Sequence, residues 1–155
     1  MERIFTLKSI IVAFIIVSST VVSAQTTHTV ILTCDTSDIN KENVNEVCNF
    51  GQDPSISNED YTISVKLGDV ILWRGMAVNE RLSSSLKIKE VTYQEGKNVF
   101  GEDTLKDRGG LISGEVIQGR SGDEEKYNIQ FIVYVGGHQV NGPFVIDPKI
   151  KIRDR

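Results

Sequence analysis

Tyr61-Thr-Ile-Ser-Val-Lys-Leu-Gly-Asp-Val-Ile-Leu-Trp73 decides the fold class. Tyr61, Ile63, Val65 and Leu67 alternate with Thr62, Ser64 and Lys66, a two-residue period that gives a strand one apolar and one wet face. Gly68-Asp69 then turns the chain, and Val70-Ile71-Leu72-Trp73 carries apolar residues on both parities, the pattern of a strand covered on both sides. Working outward, Leu86 and Ile88 alternate with Lys87 and Lys89, but Val91 and Tyr93 fall on the other parity, which predicts a bulge near Glu90. Tyr127 to Val135 is the strongest strand, with Tyr127, Ile129, Phe131, Val133 and Val135 on one face. Thr29 to Thr33 reads as an early strand, and Leu111 to Ile117 as a weaker one, at an edge and carrying Gly114. Phe144, Ile146, Ile150 and Ile152 hold one parity across Pro148, which donates no ladder hydrogen bond and so belongs at an edge or bulge.

Glycine-bearing turns separate these segments around Gly96, Gly122 and Gly136 to Gly142. No stretch sustains helical periodicity, and one short turn within Asp38 to Val47, capped by Asp38, is the most helix the chain offers. The expectation is an all-β domain, a two-sheet antiparallel Greek-key sandwich of about seven strands. The polar excursions Cys34 to Asp60 and Gly75 to Ser85 are where binding residues would be carried.

The first residues carry a different signal. Arg3 and Lys8 precede the apolar run Ile10 to Val17, and Val22-Ser23-Ala24 places small residues where a signal peptidase reads them. We expect a signal peptide at residues 1–24, cleavage before Gln25, and a single domain at 25–155. The apolar run is about half of the ~20 residues a membrane span needs, so no membrane association is expected after cleavage, and the product should be secreted or periplasmic.

The chain holds 17 basic and 21 acidic residues. Loss of Glu2, Arg3 and Lys8 takes these to 15 and 20, a net charge of −5, which argues against a nucleic-acid partner. Lys149, Lys151, Arg153 and Arg155 alternate with Ile150 and Ile152 as the wet face of a last strand. The two cysteines, Cys34 and Cys48, both follow the cut and lack a C-x-x-C spacing or a nearby histidine, so an oxidising compartment would join them as a disulfide. Between them Asp35, Asp38, Asn40, Glu42 and Glu46 make an oxygen-rich loop, a possible calcium site without the EF-hand glycine. His28 lies near the start of the domain and His138 in a glycine-rich loop, no G-x-S-x-G occurs, and the acidic pairs Glu59-Asp60, Glu102-Asp103 and Asp123-Glu124-Glu125 read as hydrophilic loops, so no catalytic residue is assigned.

Two motifs together resemble the cupredoxins, the small blue-copper sandwich domains. Tyr61 to Trp73 is similar to their strand, Gly-Asp turn and Trp-bearing strand, and Tyr134-Val-Gly-Gly-His138-Gln-Val-Asn-Gly142-Pro143 is similar to their C-terminal copper loop. The resemblance implies a cupredoxin-like sandwich, with an immunoglobulin-like topology as the alternative. His138 stands at the loop histidine, but Val135 occupies the thiolate position and Pro143 the methionine position, and no histidine follows Trp73. A blue-copper centre needs two imidazoles and a thiolate, so the resemblance implies a scaffold lacking most copper ligands, with His138 the one weak metal candidate and no cofactor. The functional expectation is an exported, non-catalytic binding or structural module for a protein or glycan of the bacterial cell envelope. Its candidate binding loop is Gly136, Gly137, His138, Gln139, Asn141 and Gly142. The alternatives are a copper-binding electron carrier with an atypical site at His138, and a small secreted hydrolase.

Overall fold

The computed structural model describes residues 25–79, 83–109, 111–140 and 142–154. The expected signal peptide at 1–24 and Asn141 of the glycine loop lie outside the described residues. Eleven strands and one helical turn follow in the order β1 (Thr27–Asp35), α1 (Val44–Val47), β2 (Cys48–Asn49), β3 (Thr62–Val65), β4 (Val70–Val78), β5 (Ser84–Gly96), β6 (Thr104–Lys106), β7 (Ile112–Glu115), β8 (Glu124–Val135), β9 (His138–Gln139), β10 (Phe144–Ile146) and β11 (Lys149–Ile152). One sheet has the order β2-β1-β4-β7, the other β3-β11-β8-β5-β6 with β9 and β10 also paired to β8. The all-β, two-sheet reading therefore holds.

The core follows the strand parity. Tyr127, Ile129, Phe131 and Val133 are fully buried, facing Ile71 and Trp73 of the other sheet among the buried cluster. Trp73 meets Phe100 and Tyr127 edge-on, with ring centroids 5.5 and 5.8 Å apart, and its Nε1 donates to Tyr127 Oη at 3.3 Å. A buried indole N–H thus finds an acceptor, as it must to avoid a desolvation loss. The bulge near Glu90 is present as a register shift between Ile88 and Glu90 against β8, and a second shift falls between Tyr93 and Glu95. Pro148 sits at the break that splits the last segment into β10 and β11.

Three expectations are corrected. The sheets are mixed, not wholly antiparallel: β1 runs parallel to β4, with Thr27 opposite Val70 and Asp35 opposite Val78, and β3 runs parallel to β11. Alternation of side chains reports a strand's buried face but not its partner's direction, and parallel partners need the long crossovers that separate these pairs in sequence. The strand count rises from seven to eleven because the last segment is split at Pro148 into β10 and β11 and because β2, β6 and β9 have two or three residues each, too short for any period to register. Nor is β4 covered on both faces. Ile71 and Trp73 point inward, but Leu72 is half-buried and Met76 and Val78 are exposed beside Ile31 of β1, leaving this sheet an open, partly apolar outer face.

Cys34 and Cys48 are directly opposed across β1 and β2 and joined by a disulfide. The helical turn α1 buries Val44, and its N-cap residue is Asn43, not Asp38. Asp38 instead accepts, at its main-chain oxygen, from the Asn40 and Asn43 side chains.

Candidate binding groove

The glycine loop is a tight hairpin. Gly136 and Gly137, at φ 59° and 82°, form the two-residue turn, and His138 and Gln139 fold back against Val135 and Tyr134. The signal was a Gly-Gly pair directly after a strand, which is hairpin chemistry. His138 and Gln139 are exposed, and Gly142 lies two residues before β10. In the 35–42 loop all four named residues are exposed; Asp35 Oδ1 accepts from Ser37 N at 2.9 Å, and Asn40 Oδ1 from Glu42 N and Asn43 N. Among the described residues no three His, Cys, Asp or Glu side chains come together to hold a metal ion, and neither cysteine is free.

Two buried carboxylates were not legible as such. Asp69, in the Gly-Asp turn, is 3% exposed and accepts from His28 at 2.7 Å, Lys66 N at 2.9 Å and Thr26 N at 3.2 Å. Burial alone would raise this carboxyl, but the bonds from His28 and the two amides hold it below its ordinary value. His28 therefore clamps the start of β1 to the turn before β4.

Glu125 belongs to β8 and not to the preceding loop. It is 1% exposed, and its Oε2 accepts from Val99 N at 2.5 Å. The sequence signal was its parity, one step before Tyr127 on the inward face. Burial pushes its carboxyl up to about 7, with the Val99 bond pulling the other way. The folded state thus keeps a proton that the unfolded chain releases near 4.5, so this contribution to stability is full below 4.5 and is lost as pH rises through about 7. Thermal unfolding is expected to give a Tm that falls between pH 5 and pH 8, and Glu125→Gln should flatten that fall. An unchanged slope in the variant would acquit Glu125.

Glu125 also positions a groove. The loop that it holds, residues 97–101, delivers Val99 and Phe100 to the side of the sandwich where β6 and β7, the last strands of their respective sheets, face each other. Between them lies a depression of about 360 Å³ floored by Phe100 and Leu105. Gly114 of β7 is required there, since a Cβ would sit 2.7 Å from both Phe100 Cδ1 and Leu105 Cδ1. Leu111 and Ile117 flank the groove and are 44% and 57% exposed. Arg108 N donates to Leu111 O at 3.0 Å, which brings Lys106 and Arg108 to one end. Gly101 approaches Ile117 at the other, so Glu102 and Glu115 line that end. The groove is therefore apolar in the middle, cationic at one end and anionic at the other. A larger cavity of about 500 Å³ lies under the disulfide loop, where the buried Asn58 amide already donates to Asn45 O and Cys48 O.

The fold and groove define an all-β sandwich of two mixed sheets with an open side. No family model matches the sequence, and no curated protein sequence matches it. Among solved structures the chain is similar to the inclusion body protein PixA from Burkholderia cenocepacia J2315, with a TM-score of 0.59 and 13% identity over 86% of this chain and 99% of that one. At this identity the likeness shows the shared fold.

Proposed function

We propose that this chain is an exported, non-catalytic β-sandwich module that binds a protein or glycan of the cell envelope, with the working domain beginning at Gln25. The observation that carries this reading is the Cys34–Cys48 bond, buried at 0% and 2% exposure in the core. Paired thiols of this kind persist in oxidising compartments and are kept reduced in the cytosol. The groove between β6 and β7 is the surface such a module would use.

A second reading, association of copies of this chain with one another, is favoured by the open outer face bearing Ile31, Met76 and Val78, and the structural neighbour PixA is described as an inclusion body protein. Three measurements together address both. Fractionation of the producing cells with N-terminal analysis is expected to find a chain starting at Gln25 outside the cytoplasm. Immobilised mature domain is expected to retain a specific envelope component, and sedimentation of the purified domain should give a monomer. A chain starting at Met1 in the cytosol would overturn export, and concentration-dependent growth without ligand would favour self-packing.

A further inference from the structure

The hydrogen-bond directions along β7 leave a short opening. Val116 N donates to Asp69 O and Val116 O accepts from Gly68 N, both at 2.8 Å, on the β4 side. Val70 N points the other way, to Thr26 O on the β1 side, so Ile71 faces Gly114. Successive residues of a strand present their N–H and C=O to opposite sides, so Ile112, Gly114 and Val116 are spent on β4. Leu111, Ser113, Glu115 and Ile117 point to the open edge. The ends of that outward row are taken: Leu111 O accepts from Arg108 N and Ile117 N donates to Val99 O, each at 3.0 Å. Between these ends, the outward backbone groups of Ser113 and Glu115 have no partner among the described residues.

We propose that this opening accepts an extended peptide as an added antiparallel strand whose central apolar side chain sits on Phe100 and Leu105, preceded by a basic and followed by an acidic residue. The proposal rests on the binding-module reading and narrows its ligand to a peptide. Two paired residues of an antiparallel strand satisfy the N–H and C=O of both Ser113 and Glu115, the mode of recognition by strand addition. The residue opposite Gly114 points to the same face as the missing Cβ, directly over Phe100 and Leu105. In antiparallel register the residue before it lies opposite Glu115, and the residue after it lies toward the Arg108 and Lys106 end. Charge complementarity thus fixes the order basic, apolar, acidic.

The length of the opening selects against a second copy. Arg108 and Val99 close the row at both ends, leaving room for about five residues at ~3.4 Å each. The β7 strand of another molecule would bring its own flanking loops into that space.

The test uses acetylated, amidated pentapeptides titrated into the mature domain while amide resonances are followed. Threonine-lysine-valine-glutamate-threonine is expected to shift the Ser113 and Glu115 amides. Exchanging its lysine and glutamate, or N-methylating its lysine residue, should weaken binding about tenfold. Ser113→Pro removes an outward donor without touching the β4 ladder, so it should give the same loss with an unchanged Tm, and Glu115→Lys should erase the preference for charge order. Equal affinity for all three peptides, shifts located elsewhere, or no binding at millimolar peptide would overturn the proposal. Retention of a glycan in the capture experiment alongside any of these results would leave the binding-module reading standing and remove only the peptide.

Discussion

Trp73→Ala is expected to lower folding stability by about 3–5 kcal/mol, the range for large-to-small changes in a packed core. Trp73 is 2% exposed and wedged between Phe100 and Tyr127, one on the 97–101 loop and one on β8, so its removal opens a cavity that touches both sheets. It also strips Tyr127 Oη of its indole donor in a fully buried position. The loss should exceed the sum of apolar area alone, because a buried hydroxyl is left to find another partner. Denaturant unfolding of wild type, Trp73→Ala and Trp73→Phe separates the parts: the phenylalanine variant keeps most of the ring packing and loses the hydrogen bond. An unchanged midpoint for Trp73→Ala would mean that β4 does not face the core as described.

The second large effect concerns the disulfide. Cys34→Ala combined with Cys48→Ala is expected to cost about 3 kcal/mol, from the chain-entropy account of a closed loop with a sequence separation of 14. Alanine avoids burying two hydroxyls where the half-cystines are 0% and 2% exposed. The effect should be local as well as global. Cys48 O is an acceptor for the buried Asn58 amide, which organises residues 49–58, so limited proteolysis should cut that loop first in the double variant. Equal Tm values with and without reductant in the wild type would contradict this assignment of the bond's role.

Much of the architecture was legible because burial on one face of a strand must be written with period two. The inward row of β8, the edge position of β7 with Gly114, the slip at Glu90 and the Cys34–Cys48 pair were all readable from side-chain order or composition. Strand direction was not, since parallel and antiparallel neighbours impose the same alternation. The short strands β2, β6 and β9 exist through their neighbours and not through a pattern of their own. The groove was illegible for a related reason. Its walls come from residues 97–108 and 111–117, placed together by the bond from Arg108 N to Leu111 O and by the hold of Glu125 on Val99, and an acidic residue beside a glycine turn reads as solvated until its parity is followed into β8.

The parallel pairing of β3 with β11 sets the order in which the molecule can be completed. Among the described residues Thr62–Val65 has no other neighbour in its sheet than Lys149–Ile152, so a segment made early must wait for one made nearly ninety positions later, with β1 likewise waiting for β4. Ring closures of that span delay the reward for ordering the chain, and sandwiches dominated by such distant pairings fold slowly. A chain emerging from a ribosome or a translocation channel would therefore carry the edge of β3 bare until its last strand is released, whereas β1 can pair as soon as β4 is out. During that interval the unpaired edge of β3 is a template for association with other chains.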